Sequence, residues 1–155
     1  MSEKNAITIS QIMMPYQANI AGNVHGGEIL KIMDNVAGAA AGKYSRSNVV
    51  TARVDEVQFL LPIYVGAFLS CTGKVVYVGN SSIEVMVSVD VEDLNTEDEP
   101  RKALSAFFTM VALDRSGRPK KVTPLIPGTD EEKELFEIAR KKHQDIKIKK
   151  KKDYS

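Results

Sequence analysis

One helical apolar run stands ahead of a series of strand-like runs, and that order restricts the fold more than any other feature of the chain. In EILKIMDNVAGAAAGKYS, residues 28 to 45, Ile29, Leu30, Ile32, Met33, Val36, Ala37, Ala39, Ala40 and Ala41 cover nearly the whole circumference of a helix. A helix that is apolar all round is expected to be buried. NVVTARVDEVQFLLP, 48 to 62, alternates first on Val50, Ala52 and Val54, then on Val57, Phe59 and Leu61. That slip of phase predicts a bulge or strong twist near Asp55 and Glu56. AFLSCTGKVVYV, 67 to 78, and IEVMVSVDVEDL, from Ile83 to Leu94, flank GNSS, a connection of the hairpin kind. RKALSAFFTMVAL, 101 to 113, is the last long strand, and AITISQIMM, 6 to 14, reads as a first strand or lead-in. The fold class expected is α+β: a central helix, then a long antiparallel meander with one face on the helix. The other face and the edges would need cover, so self-association is expected.

A second helix is predicted after residue 128, capped by Thr129 or Asp130, with Glu131 and Glu132 in its first turn and a thin stripe of Leu135, Phe136, Ile138 and Ala139. The chain therefore divides into a main unit over 1–128 and a helix with a basic tail over 129–155. The tail KIKKKKDYS reads as a solvated, frayed terminus, with an anionic-ligand contact as its functional alternative. A net charge of +1, and no aromatic residue among Lys149 to Lys152, argue against nucleic acid as a partner. No run of about 18 apolar residues is present, so no membrane span is expected. The first ten residues carry no apolar leader, and the single cysteine, Cys71, allows no disulfide framework within one chain. A cytoplasmic location is expected.

The stretch GNVHGGEILKIMDN, from Gly22 to Asn35, carries the candidate chemistry. Backbone N–H groups in a first helical turn lack intrahelical partners, and the macrodipole adds positive charge there. Gly26 and Gly27 would let an anion or developing oxyanion approach that backbone, or would simply make a tight turn. Asp34, within the apolar run, must be paired, protonated or functional if buried. His25 is a base, a ligand or a capping residue on this reading. With His143 the only other histidine, and no second Cys or His near either, no metal site is expected. No serine lies in a nucleophile-elbow motif.

NIAGNVHGGEILKIMDNVAG followed by VVTARVDEVQFLLPIYVG resembles the hotdog-fold acyl-CoA thioesterases, in their broad-specificity acyl-CoA hydrolase branch, over roughly residues 8 to 128. The resemblance implies a long helix wrapped by an antiparallel sheet, two units pairing edge to edge, and three such dimers forming a hexamer. It implies acyl-CoA as substrate and no separate cofactor, coenzyme A being part of substrate and product. Asp34 matches the general base or nucleophile, and Asn19 the amide that orients water or thioester. Gly26 or Gly27 matches the backbone donor to the carbonyl, with His25 beside it. For coenzyme A it points to Val78, Gly79, Asn80, Ser81 and Ser82, with Arg101, Arg118, Lys120 and Lys121 as phosphate candidates and Arg53 as a nucleotide or neighbour contact. Small residues Ala37, Gly38 and Ala41 with Phe59 and Leu61 are the expected acyl tunnel. One thioester must reach groups seven residues apart on a helix, roughly 10 Å, so a site shared across a dimer is expected. The alternatives are a dehydratase on the same fold and a non-catalytic acyl-CoA or nucleotide-binding module.

Overall fold

In the computed structural model, which describes residues 5–153, the runs of alternating and helical apolar residues become the elements their periods predict. In chain order these are β1 (Ala6–Ile12), a 3-10 turn (Pro15–Gln17), α1 (Gly26–Ser45), β2 (Asn48–Phe59), β3 (Phe68–Val78), β4 (Ser82–Glu92), β5 (Arg101–Leu113) and α2 (Asp130–Asp153). The strands form one antiparallel sheet in the order β1-β3-β4-β5-β2.

The expected meander holds only for β3, β4 and β5. β2 does not pair with β3; it lies at the far edge against β5. The cause is local. α1 closes on Arg46, whose backbone is left-handed at φ 52° and whose N–H bonds Gly42. Only Arg46 and Ser47 separate helix from strand, so β2 must begin beside the end of α1.

The inner face of the sheet is the core. Leu69, Cys71 and Val75 of β3, Ile83 to Val89 of β4 in alternation, and Leu104, Ala106, Phe108 and Met110 of β5 pack against Ile29, Met33, Val36, Ala37, Ala40 and Ala41 of α1. Gly73 lets the helix come this close, because a Cβ there would stand 2.8 Å from Val36 Cγ1. The expectation that α1 is enclosed on every side is not met within one protomer. Lys31, Asp34, Asn35 and Ala39 are exposed, because a five-stranded sheet covers one side of a helix.

β2 carries the predicted bulge and a second one. Asp55 pairs with Phe107 and Gln58 with Ser105, so Glu56 and Val57 together oppose Ala106. Glu56 takes the left-handed conformation, φ 51°. A further shift falls between Thr51 and Arg53. It overturns the expectation that Val50, Ala52 and Val54 share a face. Thr51, opposite Met110, and Val54, opposite Phe108, turn inward instead.

α2 lies on the outer face. Phe136 meets Tyr77 edge-on at 5.1 Å, and Ala139 is fully buried. Thr129 caps it, its Oγ1 accepting from the Glu132 N–H at 3.1 Å. The lysine run is helical as far as Asp153, not frayed, and the last two residues of the expected tail lie outside the described residues. Among the described residues no helix is long and apolar enough to cross a membrane.

Candidate active site

The chain enters α1 through a short ribbon in which Ala18 bridges Val24 and Asn23 bridges Tyr64. The His25 N–H donates to Gln17 O, which seats the helix start against the 3-10 turn. His25 is the N-cap, and its Nδ1 accepts the Gly27 N–H at 3.0 Å. An accepting Nδ1 carries no proton, so the ring's proton sits on Nε2.

That cap sets the two glycines apart. The Gly27 donor is occupied, whereas the Gly26 N–H has no partner among the described residues. A Cβ on Gly26 would stand 3.6 Å from the exposed Phe59 ring, so the missing side chain leaves space between ring and backbone. Asn19, in the ribbon, accepts from the N–H groups of Ala21 and Asn23 through Oδ1, at 3.0 and 3.2 Å. Its NH₂ stays available as a donor.

Asp34 is exposed in the protomer, so the cost of burying a lone carboxylate does not arise there. Its Oδ1 accepts a hydrogen bond from Thr51 Oγ1 at 2.5 Å, and Oδ2 has no partner among the described residues. Thr51 is the residue that sequence reasoning missed. The carboxylate opens on a groove of about 400 Å³ lined by Gly27, Leu30, Lys31, Val54, Val57 and Phe108. This is the apolar space beside Asp34 in one protomer, and none of Ala37, Gly38, Ala41, Phe59 or Leu61 lines it. Ala37 and Ala41 are fully buried in the core, and Leu61 borders a different cavity.

The coenzyme A candidates do not gather into one place on one protomer. Val78 is buried, so its side chain has no free face to offer. Gly79 to Ser82 form the β3–β4 connection: the Gly79 N–H donates to Ser82 O, Ser81 O accepts from Ala112 N–H, and Asn80 O from Val122 N–H. Those bonds tie it to the segment carrying the exposed Lys120 and Lys121. Arg118 is exposed in the turn just before them. Arg101 stands at the opposite end of β5, roughly 40 Å away at about 3.4 Å per residue. It borders a cavity of about 500 Å³ walled by residues 61–67 and the acidic stretch Glu92 to Glu99. Arg53 points to the outer face, 3.5 Å from Asp55. Burial pushes the Cys71 thiol up to about 12, which removes it as a nucleophile. Among the described residues no three His, Cys, Asp or Glu side chains stand together as a metal site.

A single long helix laid across one antiparallel sheet is the hotdog architecture. Residues 21–97 match the Thioesterase superfamily. The cytosolic acyl coenzyme A thioester hydrolase of Mus musculus is 35% identical over 95% of this chain, which spans 40% of the mouse protein's length. An apo-hexameric acyl-CoA thioesterase is 36% identical with a TM-score of 0.89, over 95% of this chain and 94% of that one. An acyl-CoA hydrolase from Staphylococcus aureus, solved with butyryl coenzyme A and coenzyme A, is 30% identical with a TM-score of 0.83, over 98% of this chain and 95% of that one. The chain belongs to the hotdog-fold acyl-CoA thioesterases of that superfamily.

The Staphylococcus enzyme has also been solved with alanine in place of one asparagine, one aspartate and one threonine. There the aspartate follows the asparagine by 15 residues and the threonine follows the aspartate by 17. Asn19, Asp34 and Thr51 stand at the same separations.

Proposed function

We propose that the protein hydrolyses acyl-CoA thioesters to the free acid and coenzyme A, at sites shared between protomers of a homo-oligomer. The observation that carries this reading is the Asp34 carboxylate, fixed by Thr51 at the mouth of an apolar groove. A thioester carbon is electrophilic and a thiolate leaves readily, so the reaction needs an oxygen nucleophile and a donor for the oxyanion. The Gly26 N–H, at the positive end of α1, is that donor. The Asn19 NH₂ orients the thioester or the attacking water. Asp34 takes the proton from water through Oδ2, or attacks through it directly. The tetrahedral intermediate then collapses with cleavage of the C–S bond, and coenzyme A leaves as thiolate; on the water route the proton held by Asp34 passes to that thiolate or to solvent, and on the direct route water hydrolyses the acyl–Asp34 anhydride to release the acid and restore the carboxylate. No metal or separate cofactor takes part in this scheme. The loop Asn80 to Ser82, exposed at Asn80, supplies with the exposed Lys120 and Lys121 donors suited to phosphates of a coenzyme A bound from a neighbouring protomer.

The sharing follows from length. Gly26 and Asp34 are eight residues apart, about 12 Å along one helix at about 1.5 Å per residue. One carbonyl cannot sit within about 3 Å of both. Two copies of α1 brought together across the open β2 edge can supply one group each. Val50 and Val54 are exposed along that edge, which suits a second copy of the same strand.

Thiol release from acetyl-, hexanoyl- and palmitoyl-CoA tests the activity directly. Release from at least one is expected, and a folded oligomer that frees thiol from none would sink the reading. Thr51→Val should lower kcat roughly 10- to 100-fold with little change in KM, because a hydrogen bond to a charged group contributes about 1.5–3 kcal/mol. A kcat equal to wild type would show that Thr51 does not position the carboxylate.

A further inference from the structure

Thr51 and Val54 share the inner face of β2, and Val54 and Val57 both line the groove beside Asp34. They recur at every third residue, which a regular strand with its period of two cannot do. The bulge at Glu56 is what brings Val57 in after Val54. It has an inherent cost, since a non-glycine residue in the left-handed region is strained. It also lies on an edge strand, where among the described residues only β5 supports it from the side.

Support comes from behind. On the outer face α2 delivers Lys142 onto the bulge. Its Nζ lies 3.0 Å from Asp55 Oδ2 and 2.7 Å from Glu56 Oε1. The same ammonium stands 4.5 Å from the centre of the Phe107 ring, the residue opposite Asp55. Arg53 reaches Asp55 at 3.5 Å. The Lys142 and Asp55 side chains are only 12% and 15% exposed, so this pair is shielded from water. The ammonium is not aligned for a hydrogen bond, and the attraction is ionic. α2 is anchored independently, through Phe136 on Tyr77, buried Ala139, and His143 against Tyr77 and Gly79.

We infer that Lys142 is a specificity-determining positioning residue: by clamping the β2 bulge from the outer face it keeps Val54 and Val57 together in the groove wall and so sets which acyl chains the groove accepts. The inference rests on reading the groove as the acyl site. Lys142 touches no reacting atom. Without it Asp55 loses its principal partner, and the strand is free to relax toward regular pairing, which turns one of the two valines away from the groove.

The test compares kcat/KM for hexanoyl-CoA with that for acetyl-CoA in the full chain. In Lys142→Met the ratio should shift at least tenfold, through KM more than kcat, while Lys142→Arg keeps the wild-type ratio. Adding Glu56→Gly to Lys142→Met should restore it, because glycine adopts φ near 51° without strain. If Lys142→Met does not fold, Lys142→Met with Asp55→Asn removes the stranded charge and carries the same expectation. A folded variant with an unchanged ratio overturns the proposal, and so does failure of Glu56→Gly to rescue. Hydrogen exchange at residues 54–58 separates this from failure of the thioesterase reading. Exchange there should be at least tenfold faster in Lys142→Met, with the centre of β5 unchanged, whether or not any acyl-CoA is turned over. Unchanged exchange refutes the clamp. A wild type inactive on every acyl-CoA refutes the specificity role.

Discussion

Asp34→Asn is expected to lower kcat for acyl-CoA by about 10²- to 10⁴-fold, the range in which a positioned proton-transfer group contributes. The amide is nearly isosteric and keeps an oxygen that can accept from Thr51, so the geometry around the groove survives while the base is lost. Asp34 is exposed, and surface substitutions of this kind change stability by about 0.5 kcal/mol or less. Affinity for coenzyme A should hold, because the carboxylate faces the acyl groove and not the phosphate donors. Single-turnover thiol release and calorimetric binding of coenzyme A separate the two quantities. Turnover within threefold of wild type would remove Asp34 from the chemistry.

Chains carrying Asn19→Ala mixed with chains carrying Asp34→Ala are expected to regain activity that neither has alone. In a two-fold dimer each site would take the helix start from one protomer and the carboxylate from the other. A heterodimer then holds one doubly damaged site and one intact site, and should recover about half the wild-type rate per dimer. Recovery must appear only after subunits exchange, which differently tagged chains and a thiol assay on the purified mixed species will report. Verified mixed dimers with no recovery would place both groups of a site on one chain. That outcome would require the helix to distort, because about 12 Å separates Gly26 from Asp34 on a regular α-helix.

The helix, the five strands and the bulge at Glu56 were legible because each rests on a local period: 3.6 along α1, two along the strands, and a visible slip between Val54 and Val57. Gly26, Gly27 and Asp34 stood out as candidates through their placement at the start and middle of that helix. Thr51 was not. It stands in a polar phase of β2, and only the shift between Thr51 and Arg53 turns it inward. A second bulge at Ala52, four residues before Glu56, leaves no distinct trace in the apolar pattern. Which of the two glycine N–H groups stays open was also hidden, since it depends on which N–H the His25 ring takes. The position of β2 beside β5 depends on the two-residue turn after α1, and the exposure of Asp34 on how far a five-stranded sheet can reach. Neither is a property of any single run of residues. Lys142 drew no notice in the sequence because its partners, Asp55 and Glu56, are about 90 positions away.

The placement of β2 has a consequence for how the chain comes off the ribosome. Its only strand partner among the described residues, β5, begins about 40 residues after β2 ends. At roughly 5–20 residues per second, the nascent strand waits about 2–8 s before that partner exists. During that interval Val50, Val54 and Phe59 are exposed on a strand with neither edge paired, which is the condition under which nascent chains capture one another. Synthesis speed between Phe59 and Arg101, more than the final stability of the sheet, should therefore govern how much of this protein reaches its native assembly.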